Sequence, residues 1–207
     1  MVYALVIGIL TSYLLGNLNG AVCISALMHD DVRSHGSGNA GLTNFIRNFG
    51  PGRALYVVLI DAGKAVLSCL VTGLLLQPYD MGIEGAAIGG LAVMLGHMFP
   101  LLLGLRGGKG ILSGLFVALV VDWRIALLIL AVFAIAYALT QYVSLGSVLA
   151  AAAFGVGFAV LHNDELIVMI CGIVMSLLAI YMHRENIVRL LKGQESKTNL
   201  FAKGKKE

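Results

Sequence analysis

Charge is what this sequence has least of. Only 12% of its 207 residues are Asp, Glu, Lys or Arg, whereas 59% are hydrophobic. A soluble domain carries roughly 25% charged residues, and crossing a bilayer takes an apolar run of about 20 residues. Runs of about that length recur along this chain. The composition therefore predicts an all-α, polytopic membrane protein with a single membrane domain over residues 1–207.

A removable signal peptide is also missing. Residues 1–28 carry no charged side chain and no small-residue cleavage site, so we expect them to remain as the first span. Cysteine is scarce, and Cys23, Cys69 and Cys171 all lie inside apolar runs, where a thiol usually serves as a small hydrophobe. We expect no disulfide framework, no metal site and no cofactor.

Several common catalytic and binding motifs are absent. None of the histidines is followed five residues later by aspartate, so the usual acyltransferase dyad is missing. There is no Gly-x-Ser-x-Gly elbow. Residues 104–110, Gly-Leu-Arg-Gly-Gly-Lys-Gly, are not a Walker A loop, because Gly110 replaces the Ser or Thr that should follow Lys109. No interleaving of basic and aromatic residues indicates nucleic-acid binding.

What is present is a succession of seven apolar segments, which we interpret as seven transmembrane helices. They cover residues 2–27, 54–76, 83–103, 111–121, 125–140, 147–161 and 166–182. The connections that fall on one side carry twelve Lys and Arg: Arg33, Arg47, Arg53, Arg106, Lys109, Arg184, Arg189, Lys192, Lys197, Lys203, Lys205 and Lys206. The other side carries only Arg124. The positive-inside rule then predicts that the N-terminus lies outside and the C-terminus in the cytoplasm.

The fourth segment is short, since eleven residues at about 1.5 Å each span roughly 16 Å of a core about 30 Å thick. Either residues 111–140 form one long helix, or residues 122–124 are an external turn and residues 104–110 lie below the membrane surface. The charge distribution favours the turn. Irregular backbone at that depth needs surrounding protein or water, so a polar pocket inside the bundle is predicted.

Two polar stretches on the basic side are suited to that pocket. The glycine loop, residues 104–110, combines four glycines with two cations, so its amides can turn around an anion before the next helix begins. The first loop, residues 29–53, holds hydroxyl, amide and cationic groups between Ser37 and Arg47. The alternatives are a basic turn and an ordinary loop composition.

Residues 141–147 are interpreted as an uncharged cytoplasmic turn with two hydroxyls, and residues 183–207 as a cytoplasmic tail. The terminal Lys203, Lys205 and Lys206 are expected to attract anionic lipid headgroups.

Inside the predicted helices, Asp61 and Lys64 share a face and are interpreted as an internal ion pair. His97 is interpreted as a hydrogen-bonded core residue. The small residues from Gly85 to Gly89 predict close helix packing.

Five groups of residues, taken together and in order, resemble one known family. They are Ser37-Gly38-Asn39-x-Gly41-x-Thr43-Asn44-x-x-Arg47, Asp61-x-x-Lys64, Gly96-His97-x-Phe99-Pro100 with Gly107-Gly108-Lys109-Gly110, Tyr142-Val143-Ser144-Leu145-Gly146-Ser147, and His183-Arg184-Glu185-Asn186-Ile187-x-Arg189-Leu190-x-x-Gly193-x-Glu195. In these groups the chain is similar to the bacterial integral-membrane, acyl-phosphate-dependent glycerol-3-phosphate acyltransferases, the PlsY family.

The resemblance implies a seven-helix enzyme that moves a fatty acyl group from acyl phosphate to the sn-1 hydroxyl of glycerol 3-phosphate. The products would be lysophosphatidic acid and phosphate, in the first step of phospholipid synthesis. Its partners would be those two substrates and membrane lipids, without nucleic acid. It would act as a monomer in the bacterial cytoplasmic (inner) membrane, with its active site facing the cytoplasm.

Matching positions carry the family's site residues onto this chain. The catalytic residues would be Ser37, Arg47, Lys109, His183 and Asn186. The substrate-binding residues would be Asn39, Thr43, Asn44, Gly107, Gly108, Gly110 and Ser144.

As a hypothesis, the glycine-loop amides and Ser144 hold the phosphoryl group of the acyl phosphate. The phosphate of glycerol 3-phosphate is then surrounded by Arg47, Lys109, His183 and Asn186. The attacking hydroxyl's proton would go to His183 or to the departing phosphate. The lack of a carboxylate in these loops favours the phosphate.

The chain departs from the family pattern at a few positions. Residues 16–20, Gly-Asn-Leu-Asn-Gly, stand where Gly-Ser-Ile-Pro is usual, Leu42 replaces alanine and Ala65 replaces glycine. Gln141 replaces an arginine, which removes one cation beside the site.

Two other classes remain open from the residues alone. A small transporter of phosphorylated solutes would also need a polar pocket, but it would need an exit on the acidic side as well, and no convincing inverted repeat is evident. A lipid-packing or scaffold protein would not need so many polar groups on one side.

Overall fold

The computed structural model describes residues 1–197, and the regular secondary structure in this part of the chain is all helical. The predicted lysines at positions 203, 205 and 206 lie outside the described residues. The described part contains α1 (Val2–Gly16), α2 (Gly20–Ala26), α3 (Leu42–Phe49), α4 (Ala54–Leu76), α5 (Gly82–Met98), α6 (Ile111–Val121), α7 (Trp123–Thr140), α8 (Val143–Leu161), α9 (Leu166–Met182) and α10 (Arg184–Leu191), with 3₁₀ turns at Val32–Ser34, Gln77–Tyr79 and Leu101–Leu103.

Four helical stretches are long and apolar enough to cross a membrane: Ala54–Tyr79, Gly82–Leu103, Trp123–Thr140 and Val143–Leu161. Two bent pairs, α1 with α2 at 45° and α9 with α10 at 55°, raise the number to six if each counts as one span. Helix α6 has eleven residues and is too short to be counted on length alone. The all-helical, multi-pass character is confirmed, and seven spans remain a prediction.

The first predicted segment is not one continuous helix. The chain breaks between Gly16 and Gly20, and Asn19 caps the second piece by accepting a hydrogen bond from the Val22 amide at 3.0 Å. The Lys64 ammonium lies 3.3 Å from the carbonyl oxygen of Gly16, the last residue of α1, and donates to the Leu18 carbonyl oxygen in the break at 2.6 Å. A polar group from α4 thus stabilises the break.

Lys64 is also one half of the predicted ion pair, which is confirmed. Its Nζ lies 2.8 Å from Asp61 Oδ1, and both side chains are buried. Lys64 Nζ lies 2.8 Å from Nδ1 of the buried His97, which confirms that histidine as a hydrogen-bonded core residue. Asp61 Oδ1 accepts from the Gly20 amide at 3.1 Å, so this cluster links α4, α5 and the start of α2.

The break between α6 and α7 is confirmed. Helix α6 ends at Val121, and Asp122, in extended conformation, caps α7 by accepting from the Arg124 amide at 2.9 Å. His162, in the connection between α8 and α9, lies with Nε2 3.3 Å from Asp122 Oδ2 and Nδ1 2.5 Å from Glu165 Oε2. An ion cluster of Asp122, His162 and Glu165 therefore joins the α6–α7 connection to the α8–α9 connection.

Close packing of α4 against α5 follows from the small residues, as predicted. A Cβ added at Gly89 would lie 2.5 Å from the Ser68 carbonyl oxygen, and one at Gly85 would lie 2.7 Å from that of Thr72. Side chains at these positions would force the helices apart.

Two predictions about the connections were wrong. The first loop contains helix α3, and α8 begins at Val143 instead of residue 147, so Ser144 lies in a first helical turn. Gln141, at φ 61°, ends α7, which leaves only two residues between the helices.

Helix α5 itself ends at Met98, because the following Phe99-Pro100 cannot continue it. The apolar stretch nevertheless extends to Leu103, as predicted, through a 3₁₀ turn.

The buried cluster generates a stability prediction. Lys64→Met should lower the free energy of unfolding by about 3–5 kcal/mol, because Asp61 and His97 would lose their buried partner. The double variant Asp61→Asn/Lys64→Met should recover much of the loss, since no buried charge is left unpaired. Thermal unfolding of both purified proteins in detergent measures this. Equal losses in the two variants would contradict the interpretation.

Candidate functional site

A chamber of about 1070 Å³ opens where the first loop, the glycine loop, α8 and the start of the tail meet. The structure brings ten of the twelve predicted site residues to its wall: Ser37, Asn39, Thr43, Asn44, Arg47, Lys109, Gly110, Ser144, His183 and Asn186. Segments more than a hundred residues apart in sequence thus share one cavity.

Gly107 and Gly108 do not line the chamber. Because they have no side chains, the glycine loop can pack closely against α5 at these two residues. A Cβ at Gly107 would lie 1.9 Å from the His97 carbonyl oxygen, and one at Gly108 would lie 2.2 Å from His97 Nε2. The Gly108 amide donates to the His97 carbonyl oxygen at 3.1 Å. That amide is therefore not free to bind an anion, and these two glycines allow a close approach of backbones.

Lys109 and Gly110 are the part of the loop that faces the chamber. Gly110, at φ 79°, starts α6, so the positive end of that helix dipole points to the loop. Lys109 Nζ donates a hydrogen bond to Asn186 Oδ1. Burial, reinforced by the positive charge of Arg189, lowers the pKa of Lys109 to about 8, against the attraction of Glu195.

Glu195 lies beside the predicted site residues; the family motif includes it, but no role was predicted for it. Its side chain is only 5% exposed; Oε1 accepts from Asn186 Nδ2 at 2.9 Å and Oε2 from Arg189 Nε at 2.7 Å. Burial raises the pKa of Glu195, but these hydrogen bonds outweigh it and the net shift is downward. The tail therefore brings a carboxylate to the polar groups of the chamber.

A signal for Glu195 existed in the sequence. Gly193, at φ 65°, follows the amphipathic α10 and reverses the direction of the chain. The reversal places the carboxylate of Glu195 beside Asn186 of α10.

His183 stands between α9 and α10 and is buried. Its Nδ1 lies 2.8 Å from the carbonyl oxygen of Ala179, which can only accept a hydrogen bond. Nδ1 must therefore carry a hydrogen, and in the neutral ring the lone pair lies on Nε2. A neutral imidazole held this way can accept a proton within the chamber.

Asn44 shapes the first loop. Its buried amide nitrogen lies 3.0 Å from each of three carbonyl oxygens, those of Val32, His35 and Asn39. Its Oδ1 accepts from the Ser37 amide at 3.1 Å. Because the hydrogen-bonding groups of Asn44 are occupied, the geometry fits a residue that holds Ser37 in place.

Arg47, one turn further along α3, lies at the mouth of the chamber, where Nη2 donates to the Ser196 carbonyl oxygen at 3.4 Å.

Gln141 does not take the place of a cation in the chamber. Its side-chain nitrogen donates to the carbonyl oxygens of Tyr137 and Ala138 at 3.3 Å each, at the end of α7. In this chain the residue closes a helix.

The remaining wall of the chamber is apolar and runs along α6, α7 and α8. It is formed mainly by Ile111, Leu112, Leu115, Ile129, Leu130, Phe133, Val143 and Ala150. A cavity with a cationic, amide-rich end and a long aliphatic side fits an amphipathic anion with a hydrocarbon tail. The fold and the site thus define an integral membrane protein that accommodates such molecules.

The comparisons with known proteins agree with this class. The family model for glycerol-3-phosphate acyltransferase matches residues 6–193. A glycerol-3-phosphate acyltransferase of Thermoanaerobacter sp. (strain X514) is 39% identical over 196 residues, covering 94% of this chain and 96% of the relative. One from Prochlorococcus marinus (strain MIT 9215) is 37% identical over 194 residues, covering 92% and 96%. The chain belongs to the glycerol-3-phosphate acyltransferase family.

Two solved structures share the fold. The crystal structure of PlsY, an integral membrane glycerol 3-phosphate acyltransferase, in its glycerol 3-phosphate form superimposes with a TM-score of 0.84 at 33% identity, covering 96% of this chain and 99% of that one. The form with lysophosphatidic acid gives a TM-score of 0.81, also at 33% identity, covering 94% and 95%.

The position of Lys109 predicts a pH dependence of anion binding. Lysine is charged below its pKa, so the affinity for inorganic phosphate should fall as the pH rises through about 8. In Lys109→Arg the guanidinium stays charged, and the decline should move to higher pH. Calorimetric titration of the purified protein with phosphate between about pH 7 and about pH 10 measures both curves. Superimposable curves would contradict the assignment.

Proposed function

We propose that this protein is an acyl-phosphate-dependent glycerol-3-phosphate 1-O-acyltransferase. It transfers a fatty acyl group to the sn-1 hydroxyl of glycerol 3-phosphate and releases lysophosphatidic acid and phosphate. The observation that carries the proposal is the single chamber in which a cationic, amide-rich end adjoins an aliphatic wall. Family membership and the ligands named for the solved relatives support the same substrates.

The polar end accommodates two phosphate groups side by side. Arg47, Lys109, His183 and Asn186 surround the phosphate of glycerol 3-phosphate, and Ser37, Asn39 and Thr43 supply hydroxyl and amide groups. The first turn of α6, starting at Gly110, and Ser144 hold the phosphoryl group of the acyl phosphate. Gly107, Gly108 and Asn44 act by supporting the loops, as their internal contacts favour.

The reaction is a direct acyl transfer. The sn-1 oxygen attacks the acyl carbon, a new ester C–O bond forms, and the bond between the acyl carbon and the phosphate oxygen breaks. Phosphate leaves with the electron pair and is a good leaving group, so no covalent enzyme intermediate is required. Orientation of the reactants and stabilisation of the developing charge by Lys109 and the start of α6 supply most of the acceleration.

The proton of the attacking hydroxyl goes to the departing phosphate. Glu195 is engaged by Asn186 and Arg189 and serves to position them, so it is not placed as a free base. His183 has an available Nε2 lone pair and is the alternative acceptor.

The protein sits in the bacterial cytoplasmic membrane with seven spans, α6 being the short one, the N-terminus outside and the chamber facing the cytoplasm. The excess of Lys and Arg on the connections that form the chamber supports this orientation. One chain supplies every group named for the reaction, which supports a monomer.

A carrier of phosphorylated solutes is the rival. It would need a second opening at the end closed by the ion cluster of Asp122, His162 and Glu165, and that cluster disfavours it.

The proposed activity predicts a direct assay. Purified protein mixed with palmitoyl phosphate and glycerol 3-phosphate should form lysophosphatidic acid and phosphate in equal amounts. A charged hydrogen bond contributes about 1.5–3 kcal/mol, so Lys109→Ala should lose at least about tenfold in kcat/KM. Lys192→Ala, an exposed lysine outside the chamber, is the matched control. Transport of glycerol 3-phosphate into vesicles without lysophosphatidic acid would favour the carrier.

The proposed orientation predicts a labelling pattern. Single cysteines replacing the exposed Asn48 and Lys192 should react with a membrane-impermeant thiol reagent only after the cells are opened. Cysteines replacing the exposed Asp80 and Asp164 should react in intact cells. Labelling of positions 48 and 192 from opposite sides would leave no shared chamber and would overturn the proposal.

A further inference from the structure

We propose that His97 is a further substrate-binding residue, whose Nε2–H donates a hydrogen bond to an oxygen of the acyl phosphate, and that Lys64 is the positioning residue that fixes its tautomer. This inference rests on the proposed function and adds a donor to the polar end of the chamber.

Lys64 decides which ring nitrogen of His97 carries the hydrogen. An ammonium has three hydrogens, and its three nearest acceptors are the Leu18 carbonyl oxygen at 2.6 Å, Asp61 Oδ1 at 2.8 Å and His97 Nδ1 at 2.8 Å. Asp61 Oδ1 lies 3.7 Å from His97 Nδ1, which is too long for a hydrogen bond. Nδ1 therefore accepts from Lys64, and Nε2 carries the hydrogen of the neutral ring.

The Nε2 edge is the part of the ring turned towards the glycine loop. His97 belongs to the chamber wall, although its side chain is only 5% exposed. Nε2 lies so close to Gly108 that a Cβ there would come within 2.2 Å of it, and Gly108 is the neighbour of Lys109. Among the described residues 1–197, the hydrogen bond of the His97 ring is made through Nδ1, and none is made through Nε2. An N–H group without a protein partner, on a residue of the chamber wall, is suited to a ligand oxygen.

The ligand is the acyl phosphate because of where this donor stands. His97 contacts the glycine loop just before the N-terminus of α6, where the proposed mechanism places the acyl phosphate. Of the groups that we assign to glycerol 3-phosphate, Arg47 and Asn186 belong to α3 and α10, and the ammonium of Lys109 extends from the glycine loop to Asn186. The Nε2–H of His97 would donate a hydrogen bond to the phosphoryl or the carbonyl oxygen of the acyl phosphate. Both oxygens gain negative charge during the transfer.

The contacts of Lys64 leave it no other role at the site. It is 4% exposed, and its hydrogens are used by the Leu18 carbonyl oxygen, Asp61 and His97. It reaches the reactants only through the imidazole, which makes it a positioning residue.

The test compares three variants of the full-length protein, purified in detergent and assayed with palmitoyl phosphate and glycerol 3-phosphate. His97→Phe keeps a ring of similar size but removes the donor. His97→Gln offers an amide N–H at a similar reach. His162→Phe is the matched control, because it alters another buried histidine, in the ion cluster with Asp122 and Glu165.

We expect His97→Phe to lower kcat/KM for palmitoyl phosphate by about ten- to a hundredfold, with KM for glycerol 3-phosphate changed less than about threefold. The Ki of inorganic phosphate as product inhibitor, measured against palmitoyl phosphate, should rise in parallel. His97→Gln should recover part of the loss. His162→Phe should leave these constants near those of the unaltered protein, even where its melting temperature falls.

Several results would overturn the inference: unchanged constants in His97→Phe, a loss confined to glycerol 3-phosphate, or equal losses in His97→Phe and His97→Gln, which would show that the ring only packs. Melting temperatures of all variants separate unfolding from lost binding, and each constant is compared at a temperature where the variant is folded. If the unaltered protein forms no lysophosphatidic acid, the proposed function fails, whereas activity unaffected by His97→Phe refutes only this inference.

Discussion

One buried ammonium group holds the parts of this protein together. Lys64 joins the broken end of α1, the carboxylate of Asp61 and the imidazole of His97, and each of these leads to a different helix. A charge in this setting is tolerated because every hydrogen of the ammonium has an acceptor. The glycine loop packs on His97, so the position of the loop depends on an interaction that touches no substrate directly.

The break between α1 and α2 also holds loops of the chamber in position, through side chains other than Lys64. Asn19 donates to the Ala40 carbonyl oxygen at 2.9 Å, and Asn17 accepts from the Leu102 amide at 3.1 Å. The departure from the usual family residues at positions 16–20 is thus accommodated by amide side chains that hold both the first loop and the approach to the glycine loop. The chain keeps the fold of the solved relative with about a third of its residues identical.

The tail completes the chamber. Asn186 bridges Lys109 and Glu195, and Glu195 in turn holds Arg189, so that cations which would repel one another are brought together around buried amide and carboxylate groups. This balance matters because the proposed chamber for two anionic reactants must concentrate positive charge without destabilising the empty protein. A carboxylate in this position stabilises the cations and leaves the amide and hydroxyl groups of the opposite wall to the ligand.

The sequence by itself determined the membrane class, most helix boundaries and the ion pair of Asp61 and Lys64, because apolar length and charge can be read along the chain. Ten residues of the chamber came from positions that match the family motifs. Only the tertiary structure decided that the first helix is broken, that Gly107 and Gly108 serve packing, and that the carboxylate of Glu195 meets Asn186 and Arg189. These features depend on groups that meet across large separations in sequence. The break at residues 17–19 is stabilised by a lysine more than forty residues away, and no local pattern records that contact.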